Sequence, residues 1–386
     1  MTAHPTTAFT GADIFTGHTT LSGQALLMQM GKITGFCPAD QLPQNAKKIE
    51  LQGGLLAPGF IDLQVNGGGG VLLNEAPCAE GLATICKAHA PLGTTALLPT
   101  LITDSPQVNA ATRAAAREAL ANDTLGFLGL HLEGPHLSIA KRGAHAEELV
   151  RPMKEQDLQN LIALKQDLPV LMVTVAPENV SDEQIRRLSE AGIYVSLGHS
   201  TAGFARTSEA LAAGARGVTH LFNAMTGLGH REPGMVGAAL SNGAAWAGLI
   251  ADGYHVQKEM LNLALRAKQG PAKIFLVTDA MSTIGTDMDH FTLNGRRINR
   301  ADGRLTLENG TLAGADLDMI SAVRFVINEL GLSKEEALRM ASLYPAQAIG
   351  LSATLGQFSE GADASILHLS YDMQINAVWI KGEQAA

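Results

Sequence analysis

The chain has 386 residues, a formal net charge of −9 and a hydrophobic content of 46%, so it can bury a large core in one or two domains. Its acidic balance and the lack of a basic stripe give no reason to expect a nucleic-acid partner. No apolar run approaches the roughly 20 residues that cross a bilayer, so we expect no membrane association.

The cysteines and the N-terminal residues indicate a compartment. Cys37, Cys78 and Cys86 form no Cys-x-x-Cys pair and are an odd number in a long chain, which is typical of reduced protein. The first residues lack the cationic start and apolar stretch of a secretory signal peptide. We therefore expect a cytoplasmic protein.

Both ends of the chain are rich in short strand-like runs. Residues 1–57 alternate such runs with turn glycines, and residues 364–369 and 375–380 have the same character. Because chain ends often lie close together, we expect 1–57 and 358–386 to form one small β-sandwich domain. Residues 58–357 would then be inserted between its halves.

The middle of the chain alternates strand-like and helix-like stretches. Its predicted strands are 59–65, 94–101, 126–133, 170–176, 194–199, 218–221, 247–251 and 274–279. Its predicted helices are 79–90, 105–121, 154–165, 181–190, 202–213, 256–268, 317–330 and 333–348. This pattern predicts an α/β fold with a (β/α)₈ TIM-like catalytic barrel over 58–357. An open doubly wound sheet is the alternative, but the Gly-x-Gly-x-x-Gly that it favours is absent.

Polar side chains stand at the ends of six of the eight predicted strands. In a barrel these ends converge on one face, where active sites lie. Each buried polar group needs a partner, and one shared metal ion would serve several at once. The polar residues concerned are Asp62, Gln64, Asn66, His131, Glu133, His199, His220, Asn223, Asp252, His255 and Asp279.

Glu133, His199 and His220 are the candidate metal ligands. One carboxylate and two imidazoles with an open water position fit a catalytic zinc site, and iron, cobalt or manganese would also accept them. The structural alternatives are a salt bridge from Glu133 to Arg142 or Lys141, and hydrogen-bonded core positions for the histidines. We expect one divalent ion per chain.

Asp279 is the candidate proton carrier. A free aspartate titrates near pH ~3.9, so Asp279 is ionised at neutral pH and can accept a proton from water activated at the metal. The alternative is that Asp279 only hydrogen-bonds a ligating histidine or caps a turn.

An ordered set of motifs resembles the N-acetylglucosamine-6-phosphate deacetylase family of the amidohydrolase superfamily. The resemblance runs from about residue 50 to the C-terminus. The motifs are Pro-Gly-Phe-Ile-Asp at 58–62, His-Leu-Glu-Gly-Pro-His at 131–136, Lys-Arg-Gly-Ala-His at 141–145, Gly-His-Ser at 198–200, Thr-His-Leu-Phe-Asn-Ala-Met at 219–225, Arg-Glu-Pro-Gly at 231–234, Ala-Asp-Gly-Tyr-His at 251–255 and Val-Thr-Asp-Ala at 277–280.

The resemblance implies a reaction and roles for site residues. The reaction is metal-dependent hydrolysis of the acetamide of N-acetyl-D-glucosamine 6-phosphate to D-glucosamine 6-phosphate and acetate, in amino-sugar metabolism. Asp279 would act first as base and then as acid, with the metal on Glu133, His199 and His220. His145 would contact the sugar and polarise the carbonyl.

The same resemblance implies further substrate contacts. Asn223 and the backbone of Ala224 would bind substrate, and the stretch Leu312, Ala313 and Gly314 would pack over the sugar. His255 and Arg231 would hold the phosphate, with Arg231 reaching in from the neighbouring subunit of a homodimer. The structural alternatives are an Arg231–Glu232 pair on a solvated loop and an exposed helix-start position for His255.

The end of strand one departs from a common amidohydrolase pattern. Many relatives carry His-x-His there, which holds a second metal, whereas this chain has Gln64-Val65-Asn66. Amide oxygens are weak zinc ligands, so we expect the second site to be absent. The rival functions are deacetylation of N-acetylgalactosamine 6-phosphate, another amidohydrolase reaction such as a dihydroorotase-like one, and catalytically silent sugar-phosphate binding. His131 and His136 stay without a functional role.

Overall fold

The N-terminal part of the chain forms short strands in two sheets. In the computed structural model, which describes residues 5–293 and 295–386, one four-stranded sheet has the order β5-β4-β1-β6. Only its β1–β6 pair is parallel. The strands of this region are β1 (Thr7–Thr10), β2 (Asp13–Phe15), β3 (Thr20–Leu21), β4 (Gln24–Gln29), β5 (Lys32–Pro38), β6 (Lys47–Glu50) and β7 (Leu55–Pro58).

Eight parallel strands then form a nearly closed barrel. They follow one another around the sheet in chain order, and a bridge between Val65 and Ala280 joins the first strand to the segment after the last. The barrel strands are β8 (Phe60–Val65), β11 (Thr94–Ile102), β12 (Gly129–Glu133), β13 (Val170–Val175), β14 (Tyr194–Leu197), β15 (Gly217–Val218), β16 (Trp246–Leu249) and β17 (Ile274–Leu276). A small hairpin, β9 (Gly67–Gly68) and β10 (Val71–Leu72), follows β8.

The burial of these strands explains their sequences. Every residue of β8 and of β11 is buried. Strands of a parallel barrel face side chains of other strands on one side and helices on the other, so both faces are apolar. The apolar runs found in the sequence therefore coincide with the barrel strands.

Ten α-helices accompany the strands in the described part of the chain. They are α1 (Ala79–His89), α2 (Pro106–Ala121), α3 (Glu155–Asp167), α4 (Asp182–Glu190), α5 (Phe204–Ala212), α6 (Gly234–Ser241), α7 (Lys258–Ala267), α8 (Met319–Asn328), α9 (Lys334–Ala341) and α10 (Leu343–Ala348). None of these helices is long and apolar enough to span a membrane.

Two helical features differ from the prediction. Helix α6 was not predicted, because its first seven residues are all buried and the segment has no polar face to produce a helical period. The predicted helix 333–348 is two helices, α9 and α10. They meet at Ser342, whose φ of −130° and ψ of −72° lie outside helical geometry.

A four-stranded antiparallel sheet lies between the last barrel strand and α8. Its strands are β18 (His290–Leu293), β19 (Arg296–Ala301), β20 (Arg304–Leu307) and β21 (Leu312–Ala315). None of these four strands was predicted, and Leu312, Ala313 and Gly314, which were expected only to pack over the sugar, lie in β21. The Asp302-Gly303 pair, with φ of 52° and 71°, is a hairpin signal that would have located β19 and β20.

The last strands return to the first sheets of the chain. β22 (Ile366–Leu369), β23 (Ile375–Ile380) and β24 (Glu383–Gln384) complete a six-stranded sheet of order β24-β23-β22-β7-β2-β3. Phe9 and Trp379, from opposite ends of the chain, stack edge to face at 4.9 Å in a shared core. The predicted fold class is thus confirmed, while the domain boundaries at 57/58 and 357/358 stay a prediction.

Candidate active site

A cleft of about 370 Å³ lies at the carboxyl ends of the barrel strands. It brings together side chains that are far apart in sequence. Most of the predicted site residues line it, namely Asn66, Glu133, His145, His199, His220, Asn223, Ala224, His255, Asp279, Leu312, Ala313 and Gly314. The convergence expected from a barrel is therefore present, and β21 forms part of the wall.

Glu133, His199 and His220 form a compact buried cluster. Glu133 Oε1 lies 3.2 Å from Nε2 of His199 and 3.2 Å from Nε2 of His220. The two Nε2 atoms are 3.0 Å apart. In the described residues Glu133 forms no ion pair with Lys141 or Arg142: its charged partners are histidines, and Arg142 pairs with Glu147.

The cluster fits a divalent metal ion. His199 Nδ1 is 2.8 Å from the Lys141 carbonyl oxygen, which can only accept a hydrogen bond, so Nδ1 carries the proton. In the neutral ring Nε2 then presents a lone pair toward the Glu133 carboxylate. An imidazole fixed in this way by a backbone carbonyl is a typical metal ligand. One carboxylate oxygen and two imidazole nitrogens suit zinc, iron, cobalt or manganese.

His145 is a third imidazole at the same place, but its ring is oriented differently. Its Nε2 is 3.7 Å from Glu133 Oε2, and one possible ligand atom from each of Glu133, His145 and His199 lies within 4.8 Å of the other two. However, the backbone N–H of Thr103 donates to His145 Nδ1 at 3.2 Å, so Nδ1 is the acceptor and Nε2 carries the proton of the neutral ring. His145 therefore presents a donor to the cleft.

Asp279 is held by two amide side chains. Its Oδ1 accepts hydrogen bonds from Asn66 Nδ2 at 2.7 Å and from Gln64 Nε2 at 3.2 Å. The same Gln64 nitrogen donates to Glu133 Oε1 at 3.3 Å. Because carboxylates only accept, the amide of Gln64 bridges Glu133 and Asp279 through its two N–H groups. A second cation between these carboxylates would have to displace this bridge.

Burial and mutual charge shift the titration of these groups. Burial would raise the pKa of Glu133, but the hydrogen bonds and charge that His199 and His220 supply when they are protonated hold that pKa well below its usual value. Burial and the negative charge of Glu133 raise the pKa of Asp279. Burial, followed by the charge of His199, lowers the pKa of His145 to about 3. His145 is consequently a neutral donor at pH 7.

The backbone around the cleft is strained. His199, His220 and Asp279 adopt the left-handed region, with φ of 47°, 30° and 53°. Non-glycine residues rarely adopt this region, and such strain persists only where the surrounding structure enforces it. His199 and His220 lie two residues beyond the ends of β14 and β15, and Asp279 lies three residues beyond the end of β17, so the tight turns there aim their side chains into the cleft.

His255 and Arg231, the two residues expected to hold a phosphate, differ in position. His255 Nδ1 is 2.6 Å from Asp252 Oδ2, and the His255 side chain is only 9% exposed, so the exposed alternative is wrong. Its Nε2 is left for a ligand. Arg231 lies on an exposed loop outside the cleft lining of its own chain. The alternative pair with Glu232 is not formed in the described chain, because Glu232 accepts from the backbone N–H groups of Phe204 and Gly234.

The two histidines without a predicted role have hydrogen-bond partners away from the cleft. His131 Nε2 is 2.7 Å from Thr174 Oγ1, inside the barrel. His136 Nδ1 donates to the Arg151 carbonyl at 3.1 Å. Both contacts are those of structural residues.

Sequence reasoning missed the contributions of strands two and four. Thr103, directly after β11, contacts His145, and Glu178, beyond β13, accepts from Ser200 Oγ and from the backbone and hydroxyl of Thr201. Glu178 thereby fixes the segment that follows His199. Both residues could have been found in the sequence, because active sites lie at the barrel strand ends and each residue follows a predicted strand by two positions.

Comparisons with known proteins identify the family of the chain. The amidohydrolase family model matches residues 55–385, and a NagA composite domain model matches residues 7–56. The N-acetylgalactosamine-6-phosphate deacetylase of Shewanella sp. (strain ANA-3) is 42% identical over 97% of this chain and 94% of its own. The human N-acetylglucosamine-6-phosphate deacetylase is 39% identical over 86% of this chain and 83% of its own.

A solved structure gives the same result for the fold. The N-acetylglucosamine-6-phosphate deacetylase from Pasteurella multocida superimposes with a TM-score of 0.94 at 37% identity, covering 98% of this chain and 99% of that chain. Because the family model extends over residues 55–385 and these relatives cover most of the sequence, the chain belongs to the amidohydrolase family.

Proposed function

We propose that this hydrolase cleaves the acetamide of N-acetyl-D-glucosamine 6-phosphate and releases acetate and D-glucosamine 6-phosphate. The observation that carries the proposal is the meeting of the Glu133–His199–His220 cluster with the Asp279 carboxylate, joined by the Gln64 amide, in one cleft. The similar proteins named above are deacetylases of amino-sugar phosphates, which supports this substrate class.

The metal ion would be held by Glu133, His199 and His220. When bound, such an ion polarises a carbonyl and lowers the pKa of water, and zinc is the ion we propose. A neutral His145 donates from Nε2–H to the acetamide oxygen and so stabilises the negative charge that develops there.

Asp279 moves the proton. Asn66 and Gln64 occupy its Oδ1, which leaves Oδ2 to take a proton from the attacking water. The raised pKa of Asp279 makes it a better base than a free aspartate, and once protonated it can deliver the proton to the leaving amine nitrogen. Asn223, the Ala224 backbone and residues 312–314 would hold the sugar against these groups.

We further propose that the chain works as a cytoplasmic homodimer. Arg231 lies away from the cleft of its own chain, whereas a planar guanidinium is well suited to bind phosphate oxygens together with His255. A neighbouring subunit would bring its Arg231 to this place. The expected partner is the small sugar phosphate, with neither nucleic acid nor membrane involved.

The phosphate gives a direct test of the substrate. With metal-free protein reloaded with one metal at a time, acetate release from N-acetylglucosamine 6-phosphate is expected to exceed that from N-acetylglucosamine by about 10²–10⁴-fold in kcat/KM, since two hydrogen bonds to a charged group are lost without the phosphate. Equal rates on the two sugars would contradict the proposal.

A second candidate substrate is N-acetylgalactosamine 6-phosphate. It is favoured by the name of the Shewanella relative, the protein compared above with 42% identity. Parallel acetate-release assays on the two 6-phosphates separate the candidates, and a higher kcat/KM on the galacto sugar would replace our first choice.

The Gln64 bridge leads to a prediction about metal content. Because its amide links Glu133 and Asp279, where a second cation would need to sit, protein purified without chelators is expected to hold one equivalent of metal per chain. Elemental analysis by plasma mass spectrometry measures this ratio. Two equivalents per chain would show that the amide yields to a second ion.

A further inference from the structure

Thr103 connects the second barrel strand to His145 in the active site. It directly follows β11 and is 3% exposed, and its side chain and backbone both contact the ring of His145. We propose that Thr103 is a positioning residue that holds the His145 ring in the orientation and tautomer needed to donate from Nε2–H to the substrate carbonyl. This inference rests on the role of His145 given under the proposed function.

The contacts fix both the tautomer and the rotation of the ring. Thr103 Oγ1 lies 2.8 Å from His145 Nδ1, and the Thr103 backbone nitrogen lies 3.2 Å from the same atom. A backbone N–H always donates, so Nδ1 must accept. Among residues 5–293 and 295–386, Thr103 supplies every hydrogen bond to His145 Nδ1. A ring held at one nitrogen from two directions has little freedom to turn.

The hydroxyl of Thr103 also reaches the segment that carries the metal ligand. Oγ1 is also 3.2 Å from the carbonyl oxygen of Glu133, which accepts as Nδ1 does, so the two acceptors share the one hydroxyl proton and the shorter contact, 2.8 Å, is to Nδ1. The oxygen therefore lies between the backbone of Glu133 and the ring of His145. One side chain thus sets the spacing between the metal cluster and the donor that must face the same acetamide group.

Gly134 leaves the space that the Thr103 hydroxyl occupies. Its φ is +88°, and a Cβ added there would lie 2.1 Å from Thr103 Oγ1. No other residue fits at 134 without displacing the threonine. The glycine that ends β12 is accordingly required for the contact between Thr103 and His145.

The test compares two substitutions of Thr103 with a matched control. Thr103→Val keeps the shape and removes the hydroxyl, and it is expected to lower kcat by about three- to tenfold, the usual effect of one lost hydrogen bond, with KM and metal content unchanged. Thr103→Ser restores the hydroxyl and should stay within about twofold of the wild type. Thr95→Val removes a buried hydroxyl at the opposite end of the same strand, where it contacts the Phe60 carbonyl, and should leave kcat unchanged.

A double-variant cycle distinguishes positioning from general stabilisation. In a His145→Gln background, Thr103→Val is expected to cause no further loss of kcat, because its effect acts through the imidazole. A full additional loss, a loss of metal, or a kcat for Thr103→Val within twofold of the wild type would each overturn the proposal.

The tautomer can be measured without any activity. In protein labelled with ¹⁵N-histidine, the ring of His145, assigned by its absence from His145→Gln, is expected to be in the Nε2–H form. An Nδ1–H ring would overturn the proposal. If the wild type released no acetate, the proposed function would fail, while this spectrum would still decide how Thr103 holds the ring.

Discussion

Asp279→Asn is expected to lower kcat for acetate release by about 10²–10⁴-fold, the range for loss of a general acid–base group. The asparagine oxygen can still accept from Asn66 and Gln64, so the local structure should be kept. What is lost is the carboxylate oxygen that takes and returns the proton.

The measurement combines steady-state kinetics with metal analysis and thermal unfolding. The variant should keep its metal and melt close to the wild type. Asp287→Asn, on the exposed loop after the last barrel strand, is the matched control and should have normal kcat. A residual kcat within tenfold of the wild type would show that Asp279 does not carry the proton.

Glu133→Gln is expected to abolish metal retention and, with it, activity. The substitution keeps the shape but removes the one negative charge that lies 3.2 Å from both histidine nitrogens. Loss of a group that merely supports a ligand costs about 10–100-fold in metal affinity, so loss of the ligand itself should exceed roughly 100-fold.

Metal content after dialysis, titrated with a competing chelator, measures this loss directly. Glu148→Gln is the matched control, because Glu148 is an exposed glutamate in the short 3₁₀ helix Glu147–Leu149 that follows His145. Full metal content in Glu133→Gln would mean that the ion is held elsewhere, for instance by His145 in place of Glu133.

The barrel and the Glu133–His199–His220 cluster could be predicted from the sequence for a physical reason. Parallel strands covered on both faces are apolar throughout. A polar residue at the carboxyl end of such a strand therefore lies on the face of the barrel where the strand ends converge and active sites lie. Glu133, His199 and His220 could therefore be named as a group from their positions alone. The N-terminal cap of α4, formed by Ser181 and Gln184, depends only on residues close in sequence and could also be predicted.

The remaining features depend on contacts that no local pattern contains. Gln64 was expected to matter only as a poor ligand, but its amide joins Glu133 and Asp279, which are 69 and 215 positions away in the chain. The tautomer of His145 depends on a backbone N–H 42 positions away. Helix α6 has no exposed face, so its sequence shows no helical period. The strands of the four-stranded sheet β18–β21 were too short to be recognised in the sequence.

The pairing of β7 with β22 determines how late in synthesis one edge of β7 can be covered. These neighbours come from opposite ends of the chain, and His368 Nε2 lies 2.7 Å from the Gly53 carbonyl, 315 positions away. During synthesis the edge of β7 stays open until nearly the whole polypeptide has left the ribosome. A chain that stops short of β22 therefore exposes an unpaired strand edge, which is a template for aggregation.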